Sequence, residues 1–461
     1  MFGQKANNRI DSVFGTKCLV YLNLVVDDKT DREEIMNYLE AEVAKYERRV
    51  KRIRENPDAT KLKSNVLLYE MFLDYRKQTL KDWQDGVPFA YLSGGSVYNH
   101  LFRAMGFRTI HLPNTADRAV SDAARYLEIS RQRGYPDNTC DRIQVYLGLT
   151  MSGELPRPSF LFYYGGECLP LTYGGRWLAE EFKVPSYCLD YPLENSGHEG
   201  YQHVLKQYRE MISLCESEVP GIKFDEAKLA DYQRKADMIH SFNQEIFELK
   251  KRVPCPLSGR DALRRPSVEL CDDPRYPEYF QLCRDEMMAK AEKGTGGLAQ
   301  EKARVIWVVS APFYADPFSF LESRGVAVPV YDAGMGSGDQ REYVSPYDEK
   351  RYGRRLSPLE YMASMVAERS EGRTPDSKSK RIIKCCRELH LDGIIYFMLS
   401  GCMPEIGCGR IVADRAEEEL GIPTLLIDGY CLDSAKYNQT DFESKLDAFV
   451  SVLLARKGIP A

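Results

Sequence analysis

"SFLFYYGGEC", Ser159 to Cys168, is a short apolar and aromatic run that ends in two glycines, a glutamate and a cysteine. The helical pattern "GGRWLAEEF" follows it, and then a second strand-like run, "VPSYCLDYP". Strand, small-residue turn, helix and strand is the βαβ pattern, which implies a parallel sheet. The same order starts upstream, where "VPFAYLSGG" reads as a strand ending in glycines, "SVYNHLFRAMGF" as a helix and "RTIHLP" as a strand.

The pattern returns in the second half of the chain. "RVIWVVSAP", "FSFLESRG" and "VAVPVYD" read as strand, helix and strand, and "DGIIYFMLSGC", "RIVADRAEEELG" and "IPTLLIDG" repeat that order. Laid over one another, the halves match Cys168 with Cys402 and Asp190 with Asp428. The expectation is an α/β protein with two Rossmann- or flavodoxin-like parallel-sheet domains, at residues 86–195 and 301–461. A helical N-terminal region, 1–85, carries "DREEIMNYLEAEVAKYERRVKRIRE", whose basic cluster reads as a solvated helix face. A helical connecting segment, 196–300, ends in "KGTGGLAQEK", which reads as a flexible connection.

Composition narrows the function. The 461 residues are 43% hydrophobic and 28% charged, the balance of a globular protein rather than a disordered one. A net charge of −5 gives no electrostatic case for nucleic acid as a partner. No apolar run reaches the length of a membrane span, and "MFGQKANNRIDSVFG" lacks the hydrophobic core of a signal peptide, so the expected location is the cytoplasm. The thirteen cysteines, an odd number, do not suit a disulfide framework in a reducing compartment. Most read as small buried hydrophobes, as Cys188 does within "PSYCLD".

Cys168 and Cys402 differ, because each falls just past a strand's carboxyl end, where open parallel sheets bind ligands. There is no P-loop, no strand-linked GxGxxG, no HExxH and no CxxC. None of the six histidines stands out as a base for a nucleophilic thiol. A soft metal centre held by thiolates from distant segments remains, and an iron–sulfur cluster needs at least one more cysteine.

"RGYPDNTCDRIQVYLGLTMSGELPRPSFLFYYGGEC", with "SGCMPEIGC" and "LGIPTLLIDGYCLDSAKYNQTDFESKLDAFVSVL", resembles the 2-hydroxyacyl-CoA dehydratase and benzoyl-CoA reductase family from about residue 87 to the C-terminus. The tail "IPTLLIDGYCLDSAKYN" is similar to that of the larger iron–sulfur subunit. The resemblance implies a [4Fe-4S] cluster in the interdomain cleft, bound by Cys140 in "PDNTCDR", Cys168 in "GGEC" and Cys402 in "GCMP". The family shows a cysteine, a variable residue and often proline where "CMP" stands. Tyr430 stands where the family tail usually has an acidic residue, with Cys431 unusual beside it. Cys408 is an extra thiol that reads as inert, with replacement of Cys402 or a second metal as alternatives. Cys385 and Cys386 read as helix packing, and Cys18, Cys215, Cys255, Cys271 and Cys283 as structural.

By the same resemblance, a separate ATP-hydrolysing iron–sulfur activator charges the cluster, and a homologous second iron–sulfur subunit completes a heterodimer or heterotetramer. The electron enters an acyl-CoA thioester. The segment "YPDNTC … LPRPSF" is similar to the benzoyl-CoA reductase branch, which implies ring reduction. A radical 2-hydroxyacyl-CoA dehydratase, losing hydroxide through a ketyl radical, is the alternative. A non-CoA electron-transfer scaffold with a larger, double-cubane cluster is a third reading. Ring reduction needs a proton donor, for which Glu167 and Glu405 are the candidates.

Overall fold

Two four-stranded parallel sheets carry the fold of the computed structural model. It describes residues 28–58, 61–95, 98–166, 168–190, 197–263, 268–332, 353–369 and 374–460. Glu167, Cys18 and the N-terminal "MFGQKANNRIDSVFG" lie outside the described residues. The first sheet comprises β1 (Phe89–Leu92), β2 (Arg108–His111), β3 (Phe160–Tyr164) and β4 (Ser186–Leu189), in the order β2-β1-β3-β4. The second comprises β5 (Ala303–Val308), β6 (Val326–Asp332), β7 (Gly393–Leu399) and β8 (Thr424–Gly429), in the matching order β6-β5-β7-β8. This is the expected α/β architecture, and the repeated order is that of a flavodoxin-like sheet.

The central strands are near-continuous apolar runs because helices cover both faces of a parallel sheet. All of "ARVIWV" in β5 and "FLFYY" in β3 is buried. Each such Phe, Val or Ile side chain contributes about 1.5–3 kcal/mol relative to exposure. One apolar core contains Tyr91 and Phe162 of the first sheet together with Trp307 and Phe397 of the second. A second core joins Tyr46 and Phe72, from the helices Asp28–Glu55 and Asn65–Gln84, to Tyr276 and Phe280 of the helix Tyr276–Glu292.

Three local readings change. Cys188, expected to be buried, is exposed on β4, where only Leu189 is buried. "KGTGGLAQEK" is a close backbone crossing rather than a loose tether: the Gly297 amide donates to the Cys255 carbonyl at 2.8 Å, and a Cβ there would lie 2.6 Å from the Ser258 amide nitrogen. Finally, the sheet register equates Leu189 with Gly429. Tyr164 pairs with Leu189 and Leu399 with Gly429, after which Gly165 donates to Leu189 O and Ser400 to Gly429 O, each at 2.8 Å. Asp190 therefore stands at the place of Tyr430, not of Asp428, and the extra residue of the first half, Glu167, precedes Cys168.

Candidate metal centre

In both sheets the chain order reverses between the first and third strands, so the topological switch point lies at the carboxyl ends of β1 and β3, and of β5 and β7. Cys168 follows β3 and Cys402 follows β7, each through a glycine with positive φ: Gly166 at +124° and Gly401 at +78°. Helices in a βαβ unit run back against the strands, so their N-termini gather at this same edge. Cys140, Cys168 and Cys402 are the N-cap residues of the helices Asp141–Met151, Leu169–Phe182 and Met403–Ile406. None of the three uses its side chain to cap its helix. The helices Asp141–Met151 and Leu169–Phe182 place positive partial charge beside Cys140 and Cys168.

The Cys140 turn, between the helices Ala123–Gln132 and Asp141–Met151, touches the Cys402 turn that follows β7. A Cβ on Gly401 would lie within 2.5 Å of the Cys140 amide nitrogen, so only glycine permits this approach. Burial pushes the Cys140 thiol well above its ordinary range, and the neighbouring Cys402, Asp141 and Cys168 add to the shift. Tyr135 sits by the same group: burial raises its phenol, helped by Cys168 and Cys140, and its hydroxyl donates to Pro170 O at 3.1 Å. Gln144 fixes the Cys140 turn by donating to Thr139 O at 2.8 Å.

Asp141 connects the two halves. Its buried carboxylate accepts the Cys431 thiol at 3.2 Å and the amides of Leu432 and Asp433 at 2.6 and 2.9 Å. Around it, Arg131 pairs with Asp433 at 2.9 Å and with Asp137 at 2.7 Å, and Lys436 reaches Asp137 at 3.1 Å. The loop after β8 is thereby held against the Cys140 turn.

Beside Cys402 lies a buried polar group. The amides of Glu405 and Ile406 donate to Cys402 O at 3.2 and 3.1 Å. The Glu405 carboxylate is buried, accepts Tyr396 Oη at 3.0 Å and is ion-paired with Lys378. Lys378, in the helix Pro375–Glu388, is 3% exposed. Arg381 of the same helix is paired with Asp332 at the end of β6. Cys408 is buried and donates its thiol to Pro404 O at 3.2 Å. Cys385, Cys386, Cys215, Cys255, Cys271 and Cys283 are buried, as expected of packing thiols.

Thiols are soft donors suited to iron–sulfur groups, and Cys140, whose turn touches that of Cys402, has both Cys402 and Cys168 in its electrostatic surroundings, so the donor set fits a cluster. Among the described residues no group of three His, Cys, Asp or Glu side chains could hold a single metal ion. Nor, among them, is any helix long and apolar enough to cross a membrane.

The family model for "2-hydroxyglutaryl-CoA dehydratase, D-component" matches residues 96–453. The chain belongs to that family. Among its relatives is the (R)-2-hydroxyisocaproyl-CoA dehydratase alpha subunit of Clostridioides difficile, 21% identical over 86% of this chain and 98% of that protein. One subunit of the benzoyl-CoA reductase of Thauera aromatica is 19% identical over 70% of this chain and 78% of its own. The (R)-2-hydroxyglutaryl-CoA dehydratase alpha subunit of Acidaminococcus fermentans is 21% identical over 65% and 61%. The family is thus one of enzymes acting on CoA thioesters, dehydratases and reductases both, and these relatives are subunits of larger enzymes.

Sequence reading missed Asp141 and Lys378. Asp141 adjoins Cys140 in "TCDR", an adjacency that marks it as close to the site without revealing its partners. Lys378 sits in "SKSKRIIKCC", where nothing separates a buried lysine from its solvated neighbours.

Proposed function

We propose that this chain is the cluster-bearing subunit of an enzyme that passes single electrons to a CoA thioester, with Cys140, Cys168 and Cys402 holding a [4Fe-4S] group. The observation that carries the reading is the meeting of the Cys140 and Cys402 turns, from the two halves of the chain, with Cys168 within electrostatic reach. When bound, such a group supplies an iron with an open position and a one-electron couple.

The chain's own residues supply the rest. The Asp141 clasp and the Arg131–Asp433 pair hold the Cys140 turn against the second sheet. Tyr135 and Tyr146, whose hydroxyl lies 3.0 Å from Ser93 Oγ, are buried phenols whose electrostatic surroundings include Cys140 and Cys168. Glu405, three residues past Cys402, is the one of the two candidate proton donors that lies among the described residues; its Oε2 accepts Tyr396 Oη, and as the ionised partner of Lys378 it must first take up a proton. Glu167 remains the second candidate from sequence.

The reaction follows the benzoyl-CoA reductase reading of "YPDNTC … LPRPSF", with an ATP-hydrolysing activator and a homologous second subunit as partners. One observation favours the dehydratase reading: the match to the 2-hydroxyisocaproyl-CoA dehydratase alpha subunit spans more of both chains than the match to the reductase subunit. Anaerobic assay of the complete complex, with reduced activator and ATP, separates them. Consumption of benzoyl-CoA supports the reductase; consumption of a 2-hydroxyacyl-CoA alone overturns it in favour of the dehydratase.

A further inference from the structure

We propose that Lys378 is a positioning residue that sets the electrostatic charge, and so the reduction potential, of the group bound at Cys402. The inference rests on the cluster reading above. It starts from a feature that reading does not use: a buried ammonium behind a ligand turn.

Lysine is rarely buried unless paired. Lys378 is 3% exposed, its Nζ lies 5.4 Å from the Tyr396 ring centre, and its ion-pair partner is Glu405. Glu405 belongs to the Cys402 turn, since its amide donates to Cys402 O. Another cation of the helix, the half-buried Arg381, is occupied by Asp332, which is itself 1% exposed. Two cations therefore face two buried anions behind the turn, a balanced set in which loss of one member leaves a full unit of charge. Burial lowers the Lys378 ammonium to about 8, while Asp332, Cys408 and Cys402 act to keep it charged. The ammonium reaches the Cys402 turn through Glu405, whose carboxylate it pairs with and whose amide donates to Cys402 O at 3.2 Å.

The matching place in the first half makes the pair specific. The helix before β3 opens on Cys140, whereas the helix before β7, Pro375–Glu388, opens on Thr374, whose Oγ1 accepts Ser377 N at 3.3 Å. Where the first half contributes a thiol, the second contributes an ordinary cap and, one turn on, a lysine. Net charge around an iron–sulfur group is one of the main determinants of its potential. Reduction adds one electron and no proton, so a nearby cation favours the reduced form and a nearby anion opposes it.

The test is an anaerobic redox titration of the full chain, followed by electron paramagnetic resonance, with iron content measured on each sample. Lys378→Met leaves Glu405 uncompensated and is expected to lower the reduced-to-oxidised ratio at fixed poise about tenfold, a shift of about 59 mV for one electron. Glu405→Gln is expected to raise it by a similar factor. The double variant should return towards the parent, and Lys378→Arg should keep the parent value. A merely structural role would change iron content without moving the potentials in opposite directions. If the single variants keep their iron and neither potential moves, the inference is overturned while the cluster reading stands. If the parent protein binds no iron, the cluster reading itself fails. Should Lys378→Met not fold, Glu405→Gln decides: an unchanged or lowered potential contradicts the proposal.

Discussion

The Cys431 thiol donates to the Asp141 carboxylate at 3.2 Å, across 290 residues of sequence. This contact joins the residue next to Cys140 to the loop that leaves β8, and two backbone amides reinforce it. The Cys140 turn is therefore held by both halves of the chain at once.

Asp141→Ala should cost about 3 kcal/mol, because it strands the buried amides of Leu432 and Asp433 as well as the thiol. Cys431→Ser keeps a donor and should cost under about 1 kcal/mol. Urea unfolding of the two variants checks this. Equal midpoints for Asp141→Ala and the parent would show that the clasp is not stabilising.

Gly401→Ala places a Cβ against the Thr139–Cys140 backbone at a φ of +78°. Steric overlap and left-handed strain together should destabilise the protein by about 2 kcal/mol or more. Gly407→Ala, in the same segment, meets nothing within 4 Å and serves as the control. Thermal unfolding in which both variants match the parent would refute the close approach of the two turns.

His111 gives a pH dependence. It caps the helix Leu112–Arg118, accepting Asn114 N on Nδ1 at 3.3 Å, and burial lowers its imidazole to about 4. A folded value below the unfolded value of about 6.5 means that stability is present above pH ~6.5 and is lost as pH falls through 4. The loss should be on the order of 3 kcal/mol. In His111→Gln the slope of stability against pH over that window should flatten. A parent protein with equal stability at pH 7 and pH 4.5 would contradict this.

The thiols divide by position. Replacing Cys140, Cys168 or Cys402 with serine should strip or destabilise bound iron, whereas Cys408→Ser and Cys431→Ser should retain it. Cys408 is committed to Pro404 O and Cys431 to Asp141. Iron retained by Cys402→Ser but lost by Cys408→Ser would exchange the roles of those two residues.

The architecture was legible because parallel strands covered on both faces must be apolar throughout, and "FLFYY" and "GIIYFML" announce themselves. Small residues before Cys168 and Cys402 marked the strand ends, since only small side chains let two loops approach. The two-residue slip that moves Asp190 from Asp428 to Tyr430 was not legible, because the length of a connection between strands leaves no hydrophobic trace. Cys188 misled because an apolar run does not record how well neighbouring helices cover its strand: β4 is mostly uncovered, whereas β6, also at an edge, is buried throughout. The Asp141 clasp and the Lys378–Glu405 pair could not be read at all. Burial of a charge depends on a partner 27 to 292 residues away, and local periodicity carries no record of it.

Cys140, Cys168 and Cys402, as the proposed ligands, imply one four-iron cluster per chain. Iron and acid-labile sulfide analysis of the anaerobically purified protein tests it most directly. About four irons and about four sulfides per chain are expected. About eight irons would point instead to the double-cubane alternative, and no iron in a protein that remains fully folded would contradict the account.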